Sequence, residues 1–227
     1  MKTKIAVFDF DGTLYPEETF SFLMKQLKQQ QGFRQRYYKF NLQFLLPYMM
    51  YKLRLMSKYR MRTAAVELYV RMFKGLSEPE IDKFFERAYG DLKEHLYQPV
   101  LQELYKAKEM GYKVILVSGA VKTLLDKIRQ DVPFDIVIGT EIPIRNGRYD
   151  QEANIQYVQG EKKVQELIAA LAKEMAAGET IDWEQSLAFA DSGSDLPVLE
   201  LVGNPICVSP DEALKKIASE RNWRIID

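Results

Sequence analysis

Ile5-Ala6-Val7-Phe8-Asp9-Phe10-Asp11-Gly12-Thr13 is the stretch that decides how this chain folds. Four apolar residues of β-forming character run into two carboxylates set two positions apart, so the acids fall where a buried strand ends. Side chains at i and i+2 of a strand share a face, and in open α/β sheets ligands bind at the carboxyl ends of the strands. Two acids crowded there, with no basic residue between them, repel unless a cation or a shared proton intervenes. An all-oxygen donor set suits Mg²⁺, which keeps several waters and takes one or two carboxylates. Asp, Gly and Thr are also ordinary turn residues, so the reading needs support from the rest of the chain.

That support begins with the order of elements. From about Thr19 to Leu96 the apolar spacing is helical, as in Phe20, Leu23, Met24 and Leu27 and again in Ile81, Phe84, Phe85 and Ala88. Ser77-Glu78-Pro79-Glu80 reads as a helix start. So long a helical block after a first strand exceeds a simple βα crossover and reads as an inserted cap. From Pro99 onward the pattern alternates. Helices are expected over 100–110, 121–130, 161–176, 195–202 and 210–221. Strands are expected over 113–117, 136–138, 187–190, 206–208 and 223–226, with an Asn146-Gly147 hairpin between 141 and 149. This alternation predicts an α/β fold, a Rossmann-like doubly wound parallel sheet with an all-helical cap. The core is assigned to 1–15 and 97–227, the cap to 16–96.

Composition sets limits. With 227 residues, 47% hydrophobic and 28% charged, the chain fits a globular domain with one insertion. The 32 Lys and Arg balance the 32 Asp and Glu, so global charge suggests no nucleic-acid partner. Cys207 is the single cysteine, which fits a reducing, cytoplasmic compartment, and its apolar surroundings in sequence suit a buried structural thiol. No uncharged stretch reaches the ~20 residues of a membrane span.

Three further stretches fall at expected strand ends or helix starts. In Val117-Ser118-Gly119-Ala120, the Ser118 side chain and nearby backbone N–H groups, Gly119 included, suit an anionic oxygen; alternatively Ser118 caps a helix. In Gly160-Glu161-Lys162-Lys163-Val164, a lysine sits at a helix start, where the dipole disfavours a cation unless a phosphate or a buried aspartate pairs with it. In Ala190-Asp191-Ser192-Gly193-Ser194-Asp195, two more acids follow a strand. Several carboxylates with almost no histidine fit a hard cation and argue against zinc. His95, the lone histidine, reads as structural or solvated.

The order of these stretches resembles the haloacid dehalogenase-like phosphatase superfamily over essentially the whole chain. The helical insertion looks like the cap class of phosphoserine phosphatases. Asp195-Leu196-Pro197, Leu199-Glu200, Pro205, Pro210-Asp211 and Trp223-Arg224-Ile225-Ile226 look like the subfamily IB hydrolases that include phosphatidylglycerophosphate phosphatases of the C type. The resemblance implies Asp9 as a nucleophile forming an aspartyl-phosphate, and Asp11 as general acid and then base. It implies Mg²⁺ held by Asp9, the Asp11 carbonyl and Asp191 with Asp195 in support, Ser118 on a phosphoryl oxygen, and a catalytic lysine. Motif spacing favours Lys163, while the local helix start also allows Lys162.

Substrate is read from the cap. Glu18 stands nine residues after Asp9, where phosphoserine phosphatases place an acidic substrate contact; it could equally favour a helix N-terminus. The expected substrate is a small phosphate monoester such as phosphoserine. Alternatives are a phospholipid phosphate at a membrane surface, and a phosphotransferase or mutase. Residues 33–62 hold eight Lys or Arg and no acid, interleaved with Tyr37, Tyr38, Phe40, Phe44, Tyr48 and Tyr51. They fit either peripheral contact with an anionic membrane or a cap helix with one buried aromatic face and one solvated basic face.

Overall fold

Ile5 to Phe8 are all buried, and their side chains divide between two sides of one sheet: Ala6 and Phe8 join one apolar cluster, Ile5 and Val7 another. That period of two is what a strand covered on both faces requires. The computed structural model describes residues 2–176 and 178–227; Met1 and Ala177 lie outside it. The strands are β1 (Lys2–Thr3), β2 (Ile5–Phe8), β3 (Lys113–Val121), β4 (Ile136–Thr140), β5 (Ile144–Arg145), β6 (Arg148–Tyr149), β7 (Thr180–Ile181), β8 (Leu187–Ala190), β9 (Asn204–Val208) and β10 (Arg224–Ile226). Six of them form a parallel sheet in the order β10-β9-β8-β2-β3-β4. The chain moves outward from β2 to β3 and β4, then returns to β8 on the other side. The order therefore reverses at β2, and the crevice at such a reversal is where ligands bind.

Helices cover both faces. α5 (Gln98–Glu109) and α6 (Lys122–Ile128) bury Leu101, Leu104, Leu124 and Leu125 on the side of Phe8. α7 (Glu161–Glu174), α8 (Leu196–Leu199) and α9 (Glu212–Glu220) bury Leu167, Leu171, Leu199 and Leu214 on the side of Val7. Phe8 and Phe189 stack across β2 and β8 with ring centroids 4.3 Å apart. The expected hairpin is present: β5 and β6 pair antiparallel, and Asn146 and Gly147 both take the positive φ of a type I′ turn.

The expected continuous helical block is four helices, α1 (Thr19–Gln29), α2 (Arg34–Lys52), α3 (Lys58–Arg71) and α4 (Glu78–Leu92). Ser77 starts α4 with a capping box to Glu80. A ring cluster of Phe20, Phe33, Tyr69, Phe73, Phe84 and Phe85 ties these helices together, each pair worth about 0.5–1.5 kcal/mol beyond area burial. α4 also grips α6 through Lys127, whose Nζ lies 2.7 Å from Asp82 and 3.0 Å from Glu86. The apolar cluster runs unbroken from Leu23 and Phe40 to Phe8 and Leu116, so the proposed cap, residues 16–96, shares its core with the sheet.

α2 departs from the single buried face expected of it. Phe40 is buried and Phe33, Tyr37 and Phe44 are half-buried inward, but Tyr38, Leu42, Leu45, Leu46 and Met49 are exposed on the opposite side. The helix has two apolar faces. Among the described residues, no helix is long and apolar enough to cross a membrane.

Candidate active site

Asp9 follows β2 directly, Ser118 lies within β3 and Asp191 follows β8, so three adjacent carboxyl ends converge. Carboxylate oxygens of Asp9, Asp191 and Asp195 lie within 4.8 Å of one another. Asp9 and Asp195 are buried and share a single cation: Lys163 Nζ donates to Asp9 Oδ1 at 2.7 Å and also to Asp195 Oδ1. A lysine in the first turn of α7 opposes the helix dipole, and these two aspartates supply the compensation. Lys162, the alternative lysine, is not brought to these carboxylates. Its side chain leaves the cluster to pair with Glu166 at 2.8 Å, one turn along the solvent face of α7.

The strand expected to end at Val117 continues to Val121, with its register to β4 shifted between the two. The shift bends Ser118 and Gly119 into the site. Thr140, fully buried on β4, fixes it by donating Oγ1 to the Gly119 carbonyl at 2.8 Å. Ser118 caps no helix, since α6 begins only at Lys122. Its Oγ instead accepts from the Ala120 N–H at 3.1 Å, and among the described residues its hydroxyl proton has no acceptor and can donate to a ligand.

Asp11 takes a different direction from Asp9. Its oxygens accept from Thr19 N–H at 2.9 Å and Thr19 Oγ1 at 3.0 Å, so the carboxylate stands at the N-terminus of α1 and outside the cluster of three. Only its backbone carbonyl remains for the cation role expected of it. Gly12 lets the chain turn here. Its φ is +72°, and a Cβ would sit 2.2 Å from Asp191 Oδ2.

Burial and crowding set the protonation of these groups. Burial pushes the Asp9 carboxyl well above the usual carboxylate range; Lys163 opposes this, and Asp195 and Asp191 reinforce it. Burial raises Asp11 to about 6 against the two Thr19 hydrogen bonds, and burial with Asp195 nearby raises Asp191 to about 7. Burial disfavours the Lys163 ammonium, but Asp195 and Asp9 outweigh it and hold the pKa above the ordinary lysine range. Three carboxylates against one ammonium leave a surplus of negative charge. The all-oxygen donor set fits a hard divalent cation.

The cluster opens into a cavity of about 500 Å³, walled by Ser118, Gly119 and Tyr157 on the core side and by Glu18, Lys58, Tyr59 and Arg62 on the helical side. Glu18 Oε1 accepts from Arg62 Nη2 at 2.9 Å, so the expected acidic contact has a basic partner beside it. His95 is exposed in a 3₁₀ turn and does not line this cavity. Sequence reasoning missed Thr19, Arg62 and Tyr157. Asp211, which the sequence singled out without a role, caps α9 through the Leu214 N–H and holds the Gly193 N–H beside Asp191.

Residues 6–200 match the family model of haloacid dehalogenase-like hydrolases. The phosphoserine phosphatase of Archaeoglobus fulgidus is 30% identical over 154 residues, covering 68% of this chain and 42% of that protein. The histidinol-phosphatase of Neisseria meningitidis is 27% identical over 132 residues, covering 57% of this chain and 58% of that one. The chain thus spans about half the length of these curated relatives. Among solved structures, a Bordetella pertussis protein of unknown function superposes with a TM-score of 0.81 at 22% identity, over 100% of this chain and 99% of its own. A substrate-bound phosphoserine phosphatase gives 0.64 at 20% identity, over 100% and 93%. At these identities the structures establish the fold.

Proposed function

The chain belongs to the haloacid dehalogenase-like hydrolases, and from that premise we propose that it is a Mg²⁺-dependent phosphomonoesterase working through an aspartyl-phosphate on Asp9. The observation that carries this reading is the buried Asp9–Lys163 contact of 2.7 Å at the floor of an open cavity. Asp9 attacks phosphorus, the ester P–O bond breaks, and Asp11 gives its proton to the departing alkoxide. Asp11 then takes a proton from water. That water attacks the same phosphorus, and phosphate leaves as the Asp9 carboxylate re-forms. The raised pKa of Asp11, about 6, suits a group that must serve as acid and then as base near neutrality. Lys163 keeps Asp9 in place and offers positive charge to the phosphoryl oxygens, and the free Ser118 proton donates to one of them.

Asp9, Asp191 and the Asp11 carbonyl, with Asp195 in support, are the residues that would hold Mg²⁺. When bound, the ion supplies charge stabilisation to the transferring group. The substrate class we propose is a small phosphorylated metabolite such as phosphoserine. Glu18 and Arg62, paired on the cavity wall, offer one carboxylate and one guanidinium to a zwitterion. The name of the Archaeoglobus relative points the same way.

The test is phosphate release from p-nitrophenyl phosphate with and without Mg²⁺, followed by a screen of phosphorylated amino acids, sugars, nucleotides and lipids. Release that is abolished by chelation and restored by Mg²⁺ is the expected result. Release indifferent to the metal contradicts the proposal. Transfer of the phosphoryl group to an added alcohol in place of release identifies a phosphotransferase.

A further inference from the structure

The exposed side of α2 and the turn that follows it have no role in the chemistry above. Tyr38, Leu42, Leu45, Leu46, Met49 and Leu53 fall on one stripe of the helix at 100° per residue. Leu42 is 76% exposed, Leu46 67% and Leu53 63%, and Leu55 in the turn is 71% exposed. A stripe of large apolar side chains facing water marks an interaction surface. The same rotation places Arg34 and Lys52 along one edge of the stripe and Lys39 along the other. Among the described residues, Arg34, Lys39, Lys52, Arg54, Lys58 and Arg60 make no ion pair with a carboxylate. Although the whole chain is neutral, residues 33–62 carry eight of its 32 basic side chains and none of its 32 acidic ones.

We propose that the α2–α3 hairpin is a docking surface for an anionic lipid bilayer. Apolar side chains enter the acyl boundary, and the flanking lysines and arginines, with long aliphatic stems, stay at the level of the lipid phosphates. Tyr38 and Tyr59, both more than half exposed, suit the interface between the two. A second copy of this chain fits poorly, because pairing the face with itself would oppose two strongly basic surfaces. Lys58 and Tyr59 also line the cavity, so a docked hairpin holds the rim of the site against the membrane plane. The surface stands independently of the phosphatase chemistry.

The experiment is co-sedimentation with vesicles of phosphatidylglycerol and phosphatidylcholine, beside pure phosphatidylcholine vesicles, at about 50 mM and 500 mM NaCl. The wild-type chain is expected to pellet with the anionic vesicles at low salt and to be released at high salt. Lys39→Glu/Lys52→Glu is expected to weaken binding roughly tenfold or more. Leu42→Glu/Leu46→Glu is expected to abolish it while thermal melting and p-nitrophenyl phosphate hydrolysis stay at wild-type values. Asp9→Asn is expected to bind as wild type does, which separates docking from catalysis. Wild-type protein left in the supernatant, equal binding to neutral vesicles, or undiminished binding by Leu42→Glu/Leu46→Glu overturns the proposal. So does a dimer in sedimentation velocity that those two substitutions dissociate, which would assign the face to a second copy.

Discussion

Lys163 and Asp9 stand 154 residues apart in the chain and 2.7 Å apart in space, Nζ to Oδ1, with both side chains more than nine-tenths buried. Neither charge is tolerable there alone. Removing one partner of a buried pair leaves an uncompensated ion, whereas an exposed pair contributes little.

Lys163→Met is therefore expected to lower phosphatase turnover by at least about 100-fold and to destabilise the metal-free protein by about 3–5 kcal/mol. Added Mg²⁺ should recover part of that stability. Lys162→Ala removes only the surface pair with Glu166 and should change stability by less than about 0.5 kcal/mol with turnover unaffected. Urea melts with and without Mg²⁺, together with initial rates, check both. Wild-type turnover in Lys163→Met would reverse the assignment.

Gly12→Ala combines two penalties. The residue keeps φ at +72°, and the new methyl falls 2.2 Å from Asp191 Oδ2, so Asp191 must move. The left-handed conformation alone costs about 1–2 kcal/mol. Isothermal titration with Mg²⁺ should show weakened binding, and an unchanged Mg²⁺ affinity would mean that Asp191 does not hold the ion.

Thr19→Val tests Asp11. The hydroxyl that donates at 3.0 Å is lost while the backbone N–H bond at 2.9 Å remains. Asp11 loses a group that fixes its direction and favours its ionised form. Steady-state kinetics should show kcat reduced roughly tenfold with KM close to wild type. A change confined to KM would assign Thr19 to substrate binding.

Cys207 gives a pH dependence of known sign. It is fully buried on β9, and burial pushes its thiol from 9.0 up to about 11. Between those values the unfolded chain has released this proton while the folded chain keeps it, so stability falls as pH rises through the window. The contribution is fully present below pH 9 and lost above 11, amounting to about 2–3 kcal/mol at most. Chemical denaturation across that range should fall less steeply for Cys207→Ala than for wild type. Parallel slopes would contradict the assignment.

Much of this was legible in the chain because it is local. Apolar period, the Asn146-Gly147 turn and the capping box at Ser77 each announce their element within a few residues, and together they yield the sheet and its helical insertion. What stayed hidden depends on distant partners. The bend that aims Ser118 comes from Thr140 on the neighbouring strand, and the hold on Asp11 comes from Thr19 in the next helix. The strands of two residues at Lys2 and Thr180 pair with each other and are too short to show a period. The choice between Lys162 and Lys163 turns on one residue of helix rotation, although Glu166, four residues after Lys162, already marked which lysine faces solvent. On α2 the aromatic residues mark the inward face, while the second apolar stripe, Leu42, Leu45, Leu46 and Met49, faces away from the core.

Asp9 is the residue we propose to carry the phosphoryl group during turnover. The most direct measurement is acid quench of the enzyme during turnover of ³²P-labelled substrate in Mg²⁺, followed by mapping of the labelled peptide. A hydroxylamine-labile label on the peptide containing Asp9, absent from Asp9→Asn, is the predicted result. Label on another residue, or full activity in Asp9→Asn, would contradict it.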